Sequence, residues 1–219
     1  MHAYADDLAY IHDVEFGGFT RGSAPWILDI LHQSGITDEL LVDLGCGSGI
    51  WARELADAGY KVLEIDISPA MIKIAQQRVP DGEFRVESFL KHNPPPCQAV
   101  TSLGEVFNYQ FDKRNTLKAI SHLFRRVYAA LRPGGLFIFD VADPGRNHSS
   151  LRQRHWKGSD WAILVKIEHD AQGRSLTRRI VTFRKVGQLC RRHEETHRLQ
   201  LYKGTEVVSM LREIGFRVR

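Results

Sequence analysis

Two acidic residues bracket a glycine-rich run in the first third of this 219-residue sequence: Asp43-Leu44-Gly45-Cys46-Gly47-Ser48-Gly49, and then Asp66. Glycines at alternate positions straight after an apolar run permit a tight turn and close backbone approach to a ligand. A helix opening just beyond them offers unpaired N–H groups to the same ligand. Asp66 lies 17 residues past Gly49, at the end of the next apolar run. A carboxylate there can accept hydrogen bonds from both hydroxyls of a ribose. Together these residues imply a nucleoside-containing ligand. Dinucleotide-binding loops want glycine at the first, third and sixth positions. Counted from Gly45 the sixth position is Ile50, which argues against a nicotinamide oxidoreductase.

A second group of residues able to do chemistry follows the fourth apolar run, in Gly104-Glu105-Val106-Phe107-Asn108-Tyr109. Glu105 is a candidate general base or amine ligand. Tyr109 is a ring that could pack on a substrate or on a cationic face. Either reads equally well as structural. The N-terminal segment offers Tyr10, His12, Phe19 and Arg21. His12 is its one group titrating near neutral pH, a candidate for proton transfer, although a lone histidine is more often a surface residue. Cys46, Cys97 and Cys190 are widely spaced. They form neither a metal-ligand pattern nor a disulfide framework, so no metal and a reducing cytoplasm are expected. Cys46 reads as a small loop residue, because no adjacent His or Lys would activate it as a nucleophile. Asn147-His148-Ser149 fits a glycosylation acceptor. It carries no meaning without a secretory route, and Met1 to Asp13 has neither a basic start nor an apolar stretch.

Positioning these residues needs alternating strands and helices. Ser23 is expected to cap a helix carrying Trp26, Ile27, Ile30 and Leu31. Leu40–Leu44 reads as a buried strand, Ile50–Ala58 as a short helix closed by Gly59, and Lys61–Ile67 as the next strand. Ser68-Pro69 reads as an N-cap with proline at the first helical position, opening a helix through Met71, Ile72 and Ala75. Glu83–Phe89 and Ala99–Leu103 are further strands. Lys113–Leu131 carries apolar residues at helical spacing, Pro133-Gly134-Gly135 ends it, and Leu136–Val141 is the fifth strand. This alternation predicts an α/β fold, a doubly wound and mostly parallel sheet. Ligands of such sheets sit outside the carboxyl ends of the strands.

The pattern changes after the fifth strand. Asp160–His169, Arg174–Val186 and Arg191–Tyr202 read as three long strands. Turns at Ala171-Gln172-Gly173 and Gly187-Gln188 make them antiparallel. Thr205 is expected to cap a last helix stopped by Gly215, with Phe216–Val218 as a strand after it. The charge is uneven: residues 1–150 hold 14 Lys and Arg against 19 Asp and Glu, and residues 151–219 hold 16 against 7. A basic half can meet nucleic acid. The arginines are instead spread through strand-like segments, as on a solvated sheet face. No run approaches the length of a membrane span.

Asp43-x-Gly45-x-Gly47-x-Gly49 resembles the first motif of the class I, Rossmann-like S-adenosylmethionine-dependent methyltransferases. Ile65-Asp66-Ile67-Ser68-Pro69-Ala70-Met71 resembles their second motif. Leu131-Arg132-Pro133-Gly134-Gly135 resembles the turn before their fifth strand. The resemblance covers residues 40–141 well and the rest loosely. It implies methyl transfer from S-adenosylmethionine, with S-adenosylhomocysteine as product. The acceptor is expected to be a small molecule. RNA or protein methylation through the basic insertion, or cofactor binding without catalysis, are the alternatives.

By the resemblance, Gly45, Cys46, Gly47 and Gly49 form the loop at the methionine end and Asp43 helps hold the ammonium group. Asp66 takes the ribose, and Ile67 and Met71 flank the adenine. Ser88 and Phe89 stand where the family often has Asp-Ala, a departure that leaves Glu87 to substitute. Leu103 and Gly104 pass close to the cofactor. Residues 1–36 form a lid in which Tyr10 and Arg21 meet the cofactor, Arg21 at its carboxylate. Catalytic candidates are Glu105, Tyr109 and His12. Residues 37–144 form the cofactor-binding core. Residues 145–203 form an inserted sheet roofing the acceptor pocket, with His155, Trp156 and Trp161 on its wall. Residues 204–219 hold the last helix and strand, and the family's final antiparallel strand is expected to be missing. The protein is expected to be a cytoplasmic monomer or homodimer.

Overall fold

The computed structural model describes residues 3–37, 39–144 and 151–219. The first 144 residues wind helices α1 (Asp6–Glu15) and α2 (Gly18–Gln33), then β1 (Leu40–Leu44), α3 (Ile50–Asp57), β2 (Lys61–Asp66), α4 (Pro69–Arg78), β3 (Glu83–Val86), β4 (Cys97–Ser102), α5 (Leu117–Ala130) and β5 (Leu131–Phe139). A 3-10 turn at Val106–Asn108 interrupts the path from β4 to α5. The five strands form one parallel sheet in the order β3-β2-β1-β4-β5. The crossovers from β1 to β2, β2 to β3 and β4 to β5 return through α3, α4 and α5, whereas β3 reaches β4 through the irregular residues 87–96.

Period-two alternation assigns the two faces of β1. Val42 and Leu44 pack with Phe107, Leu123, Phe124 and Val127 on the α5 side. Leu41 packs with Ile27, Leu31, Trp51 and Leu55 under α2 and α3. Asp43 shares that second face, so a carboxylate is enclosed where its neighbours in line are apolar.

Local signals explain most boundaries. Ser68 caps α4 by accepting from Met71 N at 3.2 Å, with Pro69 at the first helical position. Thr116 caps α5 in the same way. Gly59 ends α3, and Gly215 the last helix, with positive φ. Two expected caps are corrected. Ser23 lies inside α2 and returns its hydroxyl to Phe19 O at 2.9 Å. The last helix, α6 (Gly204–Ile214), starts at Gly204 with Lys203 as an N-cap lacking a side-chain bond, so Thr205 is already helical. Strand β5 begins at Leu131, not Leu136. Pro133-Gly134-Gly135 is an irregularity within it, opposite Cys97 to Ala99.

The second sheet has four strands where sequence patterning finds three: β6 (Leu151–Lys157), β7 (Trp161–His169), β8 (Ser175–Val186) and β9 (Leu189–Gln200), antiparallel throughout. The two residues Gly187 and Gln188 join β8 to β9, and Gly187 takes φ +61° at the first turn position, where a hairpin of this length favours glycine. One face packs Trp161, Ile163 and Ile180 on Leu8 and Ile11 of α1. The start of the insertion, residues 145–150, and its Asn-His-Ser pattern lie outside the described residues. Residues 216–219 form no strand, contrary to expectation. Phe216 instead packs on Tyr128 and Phe137. Among the described residues no strand pairs with the outer edge of β5.

Candidate active site

A cleft opens at the carboxyl ends of β1, β2 and β4, where a doubly wound sheet puts its ligands. Its empty space, mouth included, is about 1130 Å³, within reach of a nucleoside-sized ligand with a second molecule beside it. The floor is the loop after β1. Gly45, Gly47 and Gly49 all take positive φ, +83°, +56° and +74°. A Cβ on Gly45 would stand 2.3 Å from Val106 Cγ1, so the loop passes where no side chain fits. Gly45, Cys46, Gly47 and Ser48 line the cleft. Gly49 does not. It opens α3, and a Cβ there would meet Ala75 Cβ of α4 at 2.8 Å. Its requirement is helix packing.

Asp66 ends β2 and faces the same space. One oxygen accepts from Gly47 N at 2.9 Å and the other from Ser68 N at 2.7 Å. Each retains a lone pair, the capacity two ribose hydroxyls need. Burial pushes its pKa up against those bonds, so added donors would satisfy an electrostatic need. Ile67 and Met71 line the adjoining wall, followed by Glu87, Ser88 and Phe89. The Ser88 hydroxyl is spent on Asp112 Oδ2 at 2.6 Å. The Arg114 side chain beside Asp112 holds that carboxyl well below the usual range. An acidic group therefore does stand at this end, supplied by Asp112 and Glu87. The shape and donor set fit an adenosine whose ribose meets Asp66.

Asp43 carries the methionine-side expectation and also lines the cleft. Its Oδ1 accepts from Thr101 Oγ1 at 2.6 Å, and Trp51 Nε1 donates to the same hydroxyl at 3.0 Å. Burial drives Asp43 up to about 7. Burial and the neighbouring carboxylates also push the Cys46 thiol well up, which removes it as a nucleophile. Leu103 and Gly104 complete this side.

The other wall comes from the N-terminal segment: Tyr4, His12, Phe16, Gly17, Phe19 and Thr20. It is pinned from beneath. Ser68 Oγ donates to Tyr4 O at 2.9 Å, and Arg78 bridges Asp13 at 2.8 Å to the Ser48 carbonyl. Two expected cofactor residues are elsewhere. The Tyr10 ring lies under the Arg184 guanidinium, 3.4 Å away, against the second sheet. Arg21 stays beside Gly17 and acts on Asp13. Neither lines the cleft.

The acceptor side also departs from expectation. Glu105 does not line the cleft; its carboxylate accepts from Arg178 Nη2 at 2.8 Å. That ion pair removes it as a free base. Tyr109 does line it, stacked on Phe111 at 4.9 Å, and Arg178 Nη1 donates to its hydroxyl at 2.7 Å. Tyr4 Oη lies 3.2 Å from Tyr109 Oη. His197 stands behind Tyr4 with ring centres 4.8 Å apart, its Nε2 2.9 Å from Glu195 Oε2. The second sheet is thus a buttress and not a roof: Arg178 and His197 hold wall residues, and among the described residues none of β6–β9 faces the space. His155 is exposed, Trp161 is buried on α1, and Trp156 packs on the same α1 cluster and on Phe16.

Tyr4, Phe111, Asp112 and Arg178 went unnoticed in the sequence. Tyr4 precedes the first helix with no motif around it. Arg178 is one arginine among many on a strand. Only the pairing of Arg178 with His197 across β8 and β9 brings both beneath Tyr109.

Comparison with known proteins adds an independent line. Residues 41–135 match a family model described as a methyltransferase domain. A protein of Geobacillus sp. (strain WCH70) named as a methyltransferase is 26% identical over 203 residues, 81% of this chain and 74% of that protein. The crystal structure of DesVI from Streptomyces venezuelae superposes with a TM-score of 0.81 at 17% identity, covering 99% of this chain and 93% of that one. The sugar N-methyltransferase KedS8 from Streptoalloteichus sp. ATCC 53650 gives 0.76 at 17% identity, covering 98% and 88%.

Proposed function

This chain is a Rossmann-like, class I S-adenosylmethionine-dependent methyltransferase, and from that premise we propose that its acceptor is a small organic molecule with an O–H or N–H nucleophile. The acceptor sits against the rings of Tyr4, Phe16, Tyr109 and Phe111 and faces His12. In this reading residues 1–36 are the lid, 37–144 the cofactor unit, and 145–203 the insertion that braces the lid. Residues 204–219 return the chain to the core.

The observation that carries the proposal is His12. Its ring lines the cleft, and its buried Nδ1 has no hydrogen-bond partner. Burial lowers its pKa to about 4, although Asp13 pulls the other way. The imidazole is therefore neutral at pH 7 and able to accept a hydrogen bond. S-adenosylmethionine, when bound, supplies a methyl on a positively charged sulfur that leaves as a neutral thioether, so no acid is needed. His12 accepts the hydrogen bond of the nucleophile and orients its lone pair. It takes the proton of an O–H nucleophile, because methylation makes that oxygen an oxonium far more acidic than the imidazolium, whereas a methylated nitrogen passes its proton to solvent. Tyr4 and Tyr109 hold the acceptor's ring or carbon skeleton, fixed in turn by Arg178.

Two features favour a small acceptor over a nucleic acid. Arg178, Arg179, Arg184 and Arg191 pair with Glu105, Glu168, Asp160 and Asp7, so much of the basic charge is answered within the chain. The aromatic wall suits an organic skeleton, and KedS8 is named for a sugar. Three free cysteines suit a cytoplasmic enzyme.

The test is a panel of small alcohols, phenols and amines, reading S-adenosylhomocysteine release. Turnover is expected on at least one, and His12→Asn should lower kcat on it by at least about tenfold, the low side of a general-base effect, with cofactor affinity unchanged. Turnover confined to RNA or protein, with strong inverse salt dependence, would refute the reading.

A further inference from the structure

A carboxylate buried in the core plays no part in the mechanism. Glu64, in β2, is fully buried, and neither carboxylate oxygen has a hydrogen-bond donor. Strand register explains its company. Asp43 of β1 pairs with Glu64 on one side and with Thr101 of β4 on the other. Thr101, Asp43 and Glu64 therefore form one polar row across the middle of the sheet, on the face covered by α2 and α3. Trp51 closes the row at Thr101. At the other end the two acids are register partners on adjacent strands and act on one another, with the Cys46 thiol also acting on Glu64.

Two carboxylates cannot hydrogen-bond each other, because both only accept. One proton between them makes each the other's partner. Burial raises both acids; the Thr101 hydroxyl works against it at Asp43, and the titratable groups acting on the pair are Cys46, Asp66 and the two acids themselves. Among the described residues no lysine, arginine or histidine forms an ion pair with Asp43, Glu64 or Asp66. Ionising such a pair without a cation costs several kcal/mol per charge. The missing cation has one way in, since Asp43 lines the cleft and Glu64 lies behind it.

We propose that Asp43 and Glu64 hold one proton between them until an ammonium group docks at Asp43, and then release it to solvent through the cleft, making Glu64 a positioning residue that ties cofactor affinity to pH. The proposal rests on the cofactor reading above. The shared proton keeps the row neutral enough to stay folded before the cofactor arrives. Docking replaces that proton with a fixed positive charge. The amino-acid end of the ligand, and not its adenosine, therefore carries the pH dependence.

Calorimetry with two probes separates the ends. S-adenosylhomocysteine carries the ammonium, whereas 5′-methylthioadenosine has the adenosine and sulfur without it. Titrations in two buffers of different ionisation heat should show proton release with S-adenosylhomocysteine and none with 5′-methylthioadenosine. Affinity for the first should rise roughly eightfold between about pH 6 and about pH 7.5, as one-proton linkage to Asp43, pushed up to about 7 by burial, requires. That range lies below the α-amino group's own titration. Affinity for the second should stay flat. In Glu64→Gln the amide donates to Asp43, which ionises at lower pH, so the rise should shrink below about twofold. Equal proton release with both probes, or none with S-adenosylhomocysteine, overturns the proposal. So does an undiminished pH slope in Glu64→Gln. The two-probe comparison on the unaltered protein decides the matter if the variant does not fold. Failure of both probes to bind at any pH would remove the cofactor reading itself.

Discussion

The two sheets do opposite work. The parallel sheet is covered on both faces, and its loops touch the ligand space directly: Gly45 and Gly47 after β1, Asp66 after β2, Leu103 and Gly104 after β4. The antiparallel sheet is covered on one face by α1, and among the described residues none of its side chains reaches that space. It acts at one remove, through Arg178 on Tyr109 and His197 on Tyr4. A parallel sheet ends all its strands at one edge, so one edge collects the contacts. An antiparallel sheet divides its strand ends between two edges and offers its face instead. The face here carries a wall and leaves the chemistry to what the wall holds.

The comparison can be broken most severely at the loop. Gly45→Val forces a branched side chain onto φ +83° and into Val106. Left-handed strain of about 1–2 kcal/mol joins an overpacking cost of about 1–3 kcal/mol. Calorimetry is expected to show at least about a thirtyfold loss of S-adenosylhomocysteine affinity, the equivalent of the lower sum of about 2 kcal/mol. Near-normal affinity would mean that the loop is not the contact surface. Asp66→Ala should come next. Losing hydrogen bonds to a charged group costs about 1–3 kcal/mol, read as weaker cofactor binding with little change in acceptor KM. An unchanged dissociation constant would put the ribose elsewhere. Arg178→Lys should have the smallest and most telling effect. Lysine is a point charge and cannot bridge Glu105 and Tyr109 together. Losing one such bond, about 1.4 kcal/mol, should lower kcat/KM for the acceptor about tenfold while leaving cofactor affinity intact. A parallel loss of cofactor affinity would erase the division between the sheets.

The same division governs what the sequence reveals. The parallel half could be read because its signals are local. Alternate glycines after an apolar run, Ser68-Pro69 opening a helix, and Asp66 at a strand end each state a requirement within a few residues. The antiparallel half announces strands through its turns at Gly173 and Gly187, and nothing more. Arg178 looks like Arg179 in sequence, yet one is drawn inward to Glu105 and Tyr109 while the other pairs on the surface with Glu168. Glu105 was a reasonable base by position, and only that arginine removes it. Tyr10 and Arg21 failed for the same reason, because the second sheet and Asp13 claim them first. Strand β6 was missed because its partner face, not its own pattern, makes it a strand. Phe216–Val218 read as a strand by composition, but Phe216 finds its burial against Tyr128 and Phe137 without a ladder.

Asn108 sits fully buried where the second sheet joins the first. Its side chain donates to Ala142 O at 3.1 Å and Gln200 O at 2.6 Å and accepts from Ala142 N at 2.8 Å. Tyr202 N reaches the same Ala142 carbonyl at 3.1 Å. One amide thus clasps the point where the chain leaves the core and the point where it returns. Everything between is a loop whose ends are already tied, and the entropy of closing such a loop grows only with the logarithm of its length. Changes in the length of the turns within the graft therefore cost little in closure entropy, provided that the clasp and the face that braces α1 survive.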